Sequence, residues 1–113
     1  MANAKLPDPL ARRHLLEGNL DAAKARAVGE LYLAAGREVE AIDFLARGEA
    51  TDALAELRET AISRGDVFLM RGVTNALGEE PDAATWTSLA ESAQNAGRER
   101  DAESARRLAS VEG

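Results

Sequence analysis

Three glutamates hold the same place in three related stretches of this chain. Glu30, Glu59 and Glu91 each lie six residues before a glycine, Gly36, Gly65 and Gly97, that follows an apolar-patterned run. A carboxylate can accept paired hydrogen bonds from a guanidinium, so a row of them favours a basic ligand. One turn earlier lie Arg26, Ala55 and Thr87. Nearer the glycines, Ser63, Gln94 and Asn95 offer hydroxyl and amide groups that can hydrogen-bond a peptide backbone.

Other chemistry is sparse. The absence of cysteine removes disulfides, thiolate metal ligands and cysteine nucleophiles. The single histidine, His14, has Glu17 three residues on and reads as a packing or surface residue rather than a base or ligand. There is no HExxH, P-loop or GxSxG motif, and no dinucleotide-binding glycine pattern in strand context. Carboxylate pairs are abundant, but none is placed by sequence into the desolvated cleft that acid–base work requires. The chain is therefore expected to be noncatalytic, with no metal and no cofactor.

The formal charge of −6 argues against a nucleic-acid partner, and Arg12-Arg13 is too brief for a phosphate-binding patch. The charge is uneven: +1 over residues 1–35, −3 over 36–65 and −4 over 66–113. "MANAKLPDPL" has no apolar h-region, and no apolar run approaches the roughly 18 residues of a membrane span. Neither a signal peptide nor a membrane contact is expected, and a cytoplasmic location is.

The elements that must position these residues are all helical. Nearly half the residues are apolar, alanine is prominent among them, and two of the three prolines precede residue 10. Read from their stops, seven helices emerge. The first runs from a cap at Asp8, with Pro9 at its first position, to Gly18. The second starts at Asn19 or Leu20 and stops at Gly36, with Ala23, Ala27, Leu31 and Ala34 on one side and Ala25, Val28, Tyr32 and Ala35 beside it; so wide a stripe predicts packing on two sides. The third ends at Arg47 and Gly48, and the fourth is capped by Thr51, with Ala50, Ala53, Leu54, Leu57 and Ala61 as its apolar face. The fifth is capped by Asp66 and ended by Gly78. Its "VFLM" run could be a strand, but Val73, Ala76 and Leu77 continue the stripe at helical spacing. The sixth has Pro81 in its first turn and Trp86, Leu89, Ala90 and Ala93 on one face, with Trp86 read as core; the seventh carries Ala102, Ala105, Leu108 and Ala109. Connections this short imply antiparallel neighbours.

Aligned on Gly36, Gly65 and Gly97, the flanks agree: Ala41, Met70 and Ala102 follow by five residues, and Tyr32, Ala61 and Ala93 precede by four. Val28, Leu57 and Leu89 precede by eight, and Ala25, Leu54 and Trp86 by eleven. A second series, Gly18, Gly48 and Gly78, is spaced by 30 and ends the shorter helices. Two interleaved ladders predict one helix-turn-helix unit repeated three times after a leading helix. The expected organisation is a single domain over 1–113, with the leading helix at 1–18 and repeats at 19–48, 49–78 and 79–110.

"AVGELYLAAGREVEAIDFL" resembles a tetratricopeptide repeat, with Gly29 and Tyr32, the turn glycine Gly36 and the small Ala41 at the family's positions. "WTSLAESAQNAGRERDA" is similar, through Trp86, Leu89, Ala90, Gly97 and Ala102. The middle copy departs, with Arg58 and Met70 where small residues are usual. Leu45, Thr74 and Arg106 stand where the family has a large aromatic, and its proline after the second helix and its period of 34 are missing. HEAT-like stacks are an alternative. The resemblance implies an all-α, right-handed α-α superhelix, a TPR-like solenoid of about seven antiparallel helices, with Arg106-Arg107 on an end face. It further implies a concave groove lined by the first helices, about 10 Å apart, in which Glu30, Glu59 and Glu91 form one ladder. The family's carboxylate-binding clamp is basic at this register, so only Arg26 favours that mode here.

The function expected is a protein-interaction module binding a protein or peptide segment, preferably basic, at Arg26, Glu30, Glu59, Ser63, Glu91, Gln94 and Asn95. The alternative is a structural or assembly domain that self-associates or docks on another domain through Leu10, Leu15 and Leu16 at one end and Ala105 and Leu108 at the other.

Overall fold

The computed structural model describes residues 21–112, and every regular element among them is helical. In chain order they are α1 (Ala22–Ala34), α2 (Glu38–Arg47), α3 (Thr51–Arg64), α4 (Val67–Leu77), α5 (Ala83–Asn95) and α6 (Glu99–Glu112). The leading helix, with His14 and Leu10, Leu15 and Leu16, lies outside the described residues. "VFLM" is helical, as its spacing predicts.

Each start has a local cause. Asp21, Asp66 and Asp82 accept a hydrogen bond from the backbone N–H three residues on, satisfying donors the first turn leaves orphaned. Two expectations shift here. Pro81 precedes the Asp82 cap instead of entering the helix, because the aspartate supplies the acceptor proline cannot. Thr51 is the first helical residue of α3, since the Leu54 N–H already donates to the Ala50 carbonyl. At α2 the capping position is Arg37, which makes no side-chain cap; its guanidinium bonds instead to Glu40 in the first turn. Arg98 repeats this arrangement with Asp101 in α6.

The helix ends carry the repeat. After α1, the Arg37 N–H donates to the Tyr32 carbonyl at 2.9 Å and the Gly36 N–H to that of Leu33 at 3.0 Å. The same pair of bonds closes α3 at Gly65 and α5 at Gly97, and all three glycines have φ of +75 to +76°. At the second helices the ladder differs from the expected one. Gly78 is left-handed after α4, but after α2 that conformation falls to Glu49, at φ +53°, and not to Gly48. The left-handed positions are thus Gly36 then Glu49, and Gly65 then Gly78, each pair 13 residues apart. Gly48 is small for another reason: a Cβ there would lie 2.6 Å from the Arg26 backbone nitrogen. Glu49→Gly, which relieves the left-handed strain, is expected to raise stability by about 1 kcal/mol in urea unfolding.

The chain divides into two compact units, Met1–Leu54 and Ala55–Gly113. In the first, α1 and α2 form an antiparallel hairpin. A Cβ on Gly29 would meet Leu45 at 2.8 Å, and the Tyr32 and Phe44 rings stack with centroids 5.5 Å apart, capped by the Arg37 guanidinium over Tyr32. In the second, α5 packs along α6, α4 touches α6, and the end of α3 meets α5 where Gly65 abuts Ala93.

The repeat alignment is also a burial alignment. Ala25, Leu54 and Trp86, the Tyr32 set, and the Ala41 set are all buried, as are Leu57 and Leu89, with only Val28 half-buried. One expected face is not there: Ala23, Ala27 and Ala34 of α1 are exposed, so α1 buries one stripe, through Ala25, Gly29 and Tyr32. Alanine there reports helix propensity rather than burial.

Candidate functional site

The register of interest begins on α1. Arg26 and Glu30 are one turn apart, and the Arg26 Nε donates to Glu30 Oε2 at 3.0 Å. The same guanidinium reaches Asp52 with both terminal nitrogens, Nη1 to Oδ1 at 3.2 Å and Nη2 to Oδ2 at 3.0 Å. Asp52 is within reach because Gly48 lets the chain ride directly on the Arg26 backbone before α3 begins. In the first turn of α3 its carboxylate also suits the helix dipole.

One guanidinium thus serves two carboxylates. The hydrogen bond from Arg26, helped by the Ala53 N–H, holds the Asp52 carboxyl below its ordinary range, and Asp52 first, then Glu30, raises Arg26 further. For an acid whose folded-state pKa is depressed, the stabilisation is complete above the unfolded value and is lost as pH falls through the folded one. Urea unfolding of Asp52→Asn should accordingly show a flatter acid limb than the parent chain, with most of the difference near neutral pH. A variant with the same acid limb would mean the pair contributes nothing.

The other two glutamates are less engaged. Glu59 on α3 leaves 74% of its side chain exposed and among the described residues meets only the adjacent Arg58, whose Nη1 is 3.4 Å from Oε2. The neighbouring Arg58 Nε is buried without a hydrogen-bond partner. Glu91 on α5 is exposed and forms no ion pair or side-chain hydrogen bond among the described residues. Of the amide and hydroxyl residues, Ser63 donates to the Thr60 carbonyl of its own helix at 3.2 Å, and Gln94 Oε1 accepts from Arg106 Nη2 at 2.6 Å. Asn95, the last residue of α5, is exposed.

The structure therefore joins Arg26 and Glu30 in an internal network and leaves Glu59 and Glu91 presented on α3 and α5. Asp52, the strongest partner of Arg26, is a residue that the sequence pattern did not single out. It lies 26 positions from Arg26 and in no shared helical register.

In the second unit, the Thr85 hydroxyl and then the Thr85 N–H hold the Asp82 carboxyl low, so its charge is committed to capping α5. Among the described residues no group of three or more His, Cys, Asp and Glu could hold a metal ion. No described helix is long and apolar enough to cross a membrane.

These features define an all-helical chain of paired helices with matching turns, burial and carboxylate register. No family model, curated protein or solved structure matches it.

Proposed function

We propose that this protein is a noncatalytic, tetratricopeptide-like binding module that recognises an arginine- or lysine-bearing segment of another protein through the Glu30, Glu59 and Glu91 register. The observation that carries the reading is the state of Glu59 and Glu91. They occupy one repeat position on two helices and both are exposed; Glu59 has only the long pairing with Arg58, and Glu91 has none among the described residues. An incoming guanidinium finds there an acceptor able to take charge-assisted, bidentate hydrogen bonds.

Glu30 differs in degree, because a ligand there competes with Arg26 for the same oxygen. Within this reading Glu59 and Glu91 therefore contribute most; on α5 after Glu91, Asn95 hydrogen-bonds the ligand backbone, and Gln94 does so through its amide N–H groups, since Arg106 holds its Oε1. The excess of acidic residues over 66–113 draws a basic segment to this part of the chain.

The test is calorimetric titration with a short arginine-rich peptide at low and moderate salt. The Glu30/Glu59/Glu91 triple alanine variant should retain its far-UV circular dichroism yet lose at least about tenfold in affinity, and the parent's binding should weaken with salt. Glu30→Gln alone should lose less than Glu59→Gln or Glu91→Gln. Undiminished binding by the triple variant would remove the reading.

A further inference from the structure

We propose that Arg58 is an intramolecular competitor for Glu59 and so makes Glu91 the anchor of the register, a role that rests on the reading of both glutamates as contact residues.

Position 58 departs from its repeat. Seven residues before the turn glycines stand Gly29, Arg58 and Ala90. Gly29 and Ala90 are buried, and glycine at 29 makes room for Leu45. Nine residues after the turn glycines, the middle copy has Thr74 where the first has Leu45. The volume given up at 74 is matched by a longer side chain at 58. An arginine suits such a place only through its stem and must carry its charged head toward water. Arg58 does so incompletely: 26% of its side chain is exposed, and Nε stays buried with no hydrogen-bond partner among the described residues.

The head is therefore weakly held. Arg26 commits Nε and both terminal nitrogens to Glu30 and Asp52, at 3.0, 3.2 and 3.0 Å. Arg58 places Nη1 3.4 Å from Glu59 Oε2, at the long limit of a hydrogen bond. So exposed a pair contributes little and exchanges readily. After the Thr85 hydroxyl and N–H, the Arg58 charge also helps to hold Asp82 low, so a guanidinium displaced from Glu59 keeps a counter-charge near it.

These facts rank the two glutamates. A ligand guanidinium arriving at Glu59 replaces one ion pair by another and meets a like charge beside it. At Glu91, which is exposed and has no ion pair among the described residues, the same group adds a pair outright. Glu91 therefore holds the segment, and Arg58 sets how much Glu59 adds.

Calorimetric titration of the full chain with an arginine-rich peptide tests this role. In the parent, Glu91→Gln should cost more affinity than Glu59→Gln. Arg58→Met keeps an unbranched apolar stem and removes both the charge and the orphaned Nε; it should bind about three- to fivefold more tightly, as should Arg58→Gln. Arg58→Lys, which keeps the charge, should stay near the parent. The gain should vanish in the Glu59→Gln background, and within Arg58→Met the losses from Glu59→Gln and Glu91→Gln should become equal. If both glutamate variants weaken the parent while neither neutral Arg58 variant binds more tightly, the competitor role is overturned and the contact surface stands. A gain that persists without Glu59 overturns it too, since it would report overall charge alone. If neither Glu59→Gln nor Glu91→Gln weakens the parent, the contact surface itself fails and the role of Arg58 falls with it.

Discussion

Gly65→Ala is expected to lower the unfolding free energy by about 3 kcal/mol or more, while Gly97→Ala lowers it by about 1 kcal/mol. The two glycines share φ of +76°, so both variants bear the cost of a left-handed alanine. Their surroundings differ. Nothing lies within 4 Å of a Cβ built on Gly97, whereas at Gly65 that atom would stand 2.4 Å from the Ala93 nitrogen and Cα and 2.7 Å from its Cβ. Those neighbours are the backbone of α5 and an alanine Cβ fixed to it, with no rotamer by which to withdraw. The turn must lift from α5, and apolar contacts around the buried Ala93 go with it. Urea unfolding of both variants isolates the packing term, because the backbone term is common. Equal losses would mean that the approach of this turn to α5 has no energetic weight.

Trp86→Ala is expected to cost about 3–5 kcal/mol, a large fraction of the roughly 5–15 kcal/mol that holds a domain folded. Trp86 is 4% exposed and occupies the register of Ala25 and Leu54. Two turns along the same helix stand Ala93, Tyr32 and Ala61 respectively, all buried. The two positions trade volume: Ala25 accompanies Tyr32, Leu54 accompanies Ala61, and Trp86 accompanies Ala93. Removing the indole leaves alanine at both places in α5, a combination neither other copy contains, and close-packed surroundings can fill the gap only partly. Far-UV circular dichroism must follow the unfolding, since the substitution removes the single tryptophan. Phe68→Ala, on an exposed side chain, is the internal control and should leave stability nearly unchanged.

The turn glycines were legible because a left-handed position selects glycine so strongly that its spacing survives where other residues vary. The limit of that signal is Gly48. Glycine also serves close approach, and sequence does not say which purpose a given glycine serves; here Glu49 took the left-handed place and Gly48 the contact with Arg26. The core face of α5 followed from tryptophan, leucine and alanine spacing, and those of α3 and α6 in part, since Ala53, Leu108 and Ala109 are only half-buried. That of α1 did not, because Ala23, Ala27 and Ala34 are apolar enough to extend a stripe yet small enough to stay in water at little cost.

The glutamate register could be read as a pattern, but its electrostatic state could not. Whether a carboxylate is paired depends on residues brought from elsewhere in the chain. Asp52 meets Arg26 only because of the turn at Gly48, and Arg106 meets Gln94 only because α6 returns along α5. The outward position of Phe68 was hidden for a related reason: in "VFLM" every residue is apolar, and only the helix phase separates the exposed one from its buried neighbours.

The most direct test of the glutamate register as a contact surface is a nuclear magnetic resonance titration of the full chain with an arginine-rich peptide, following side-chain carboxylate and backbone amide signals. The Glu59 and Glu91 carboxylates should shift most, Glu30 should shift less while Arg26 holds it, and all these shifts should shrink as salt is raised. Shifts confined to other carboxylates, or a bound peptide that leaves Glu59 and Glu91 unmoved, would contradict a contact there.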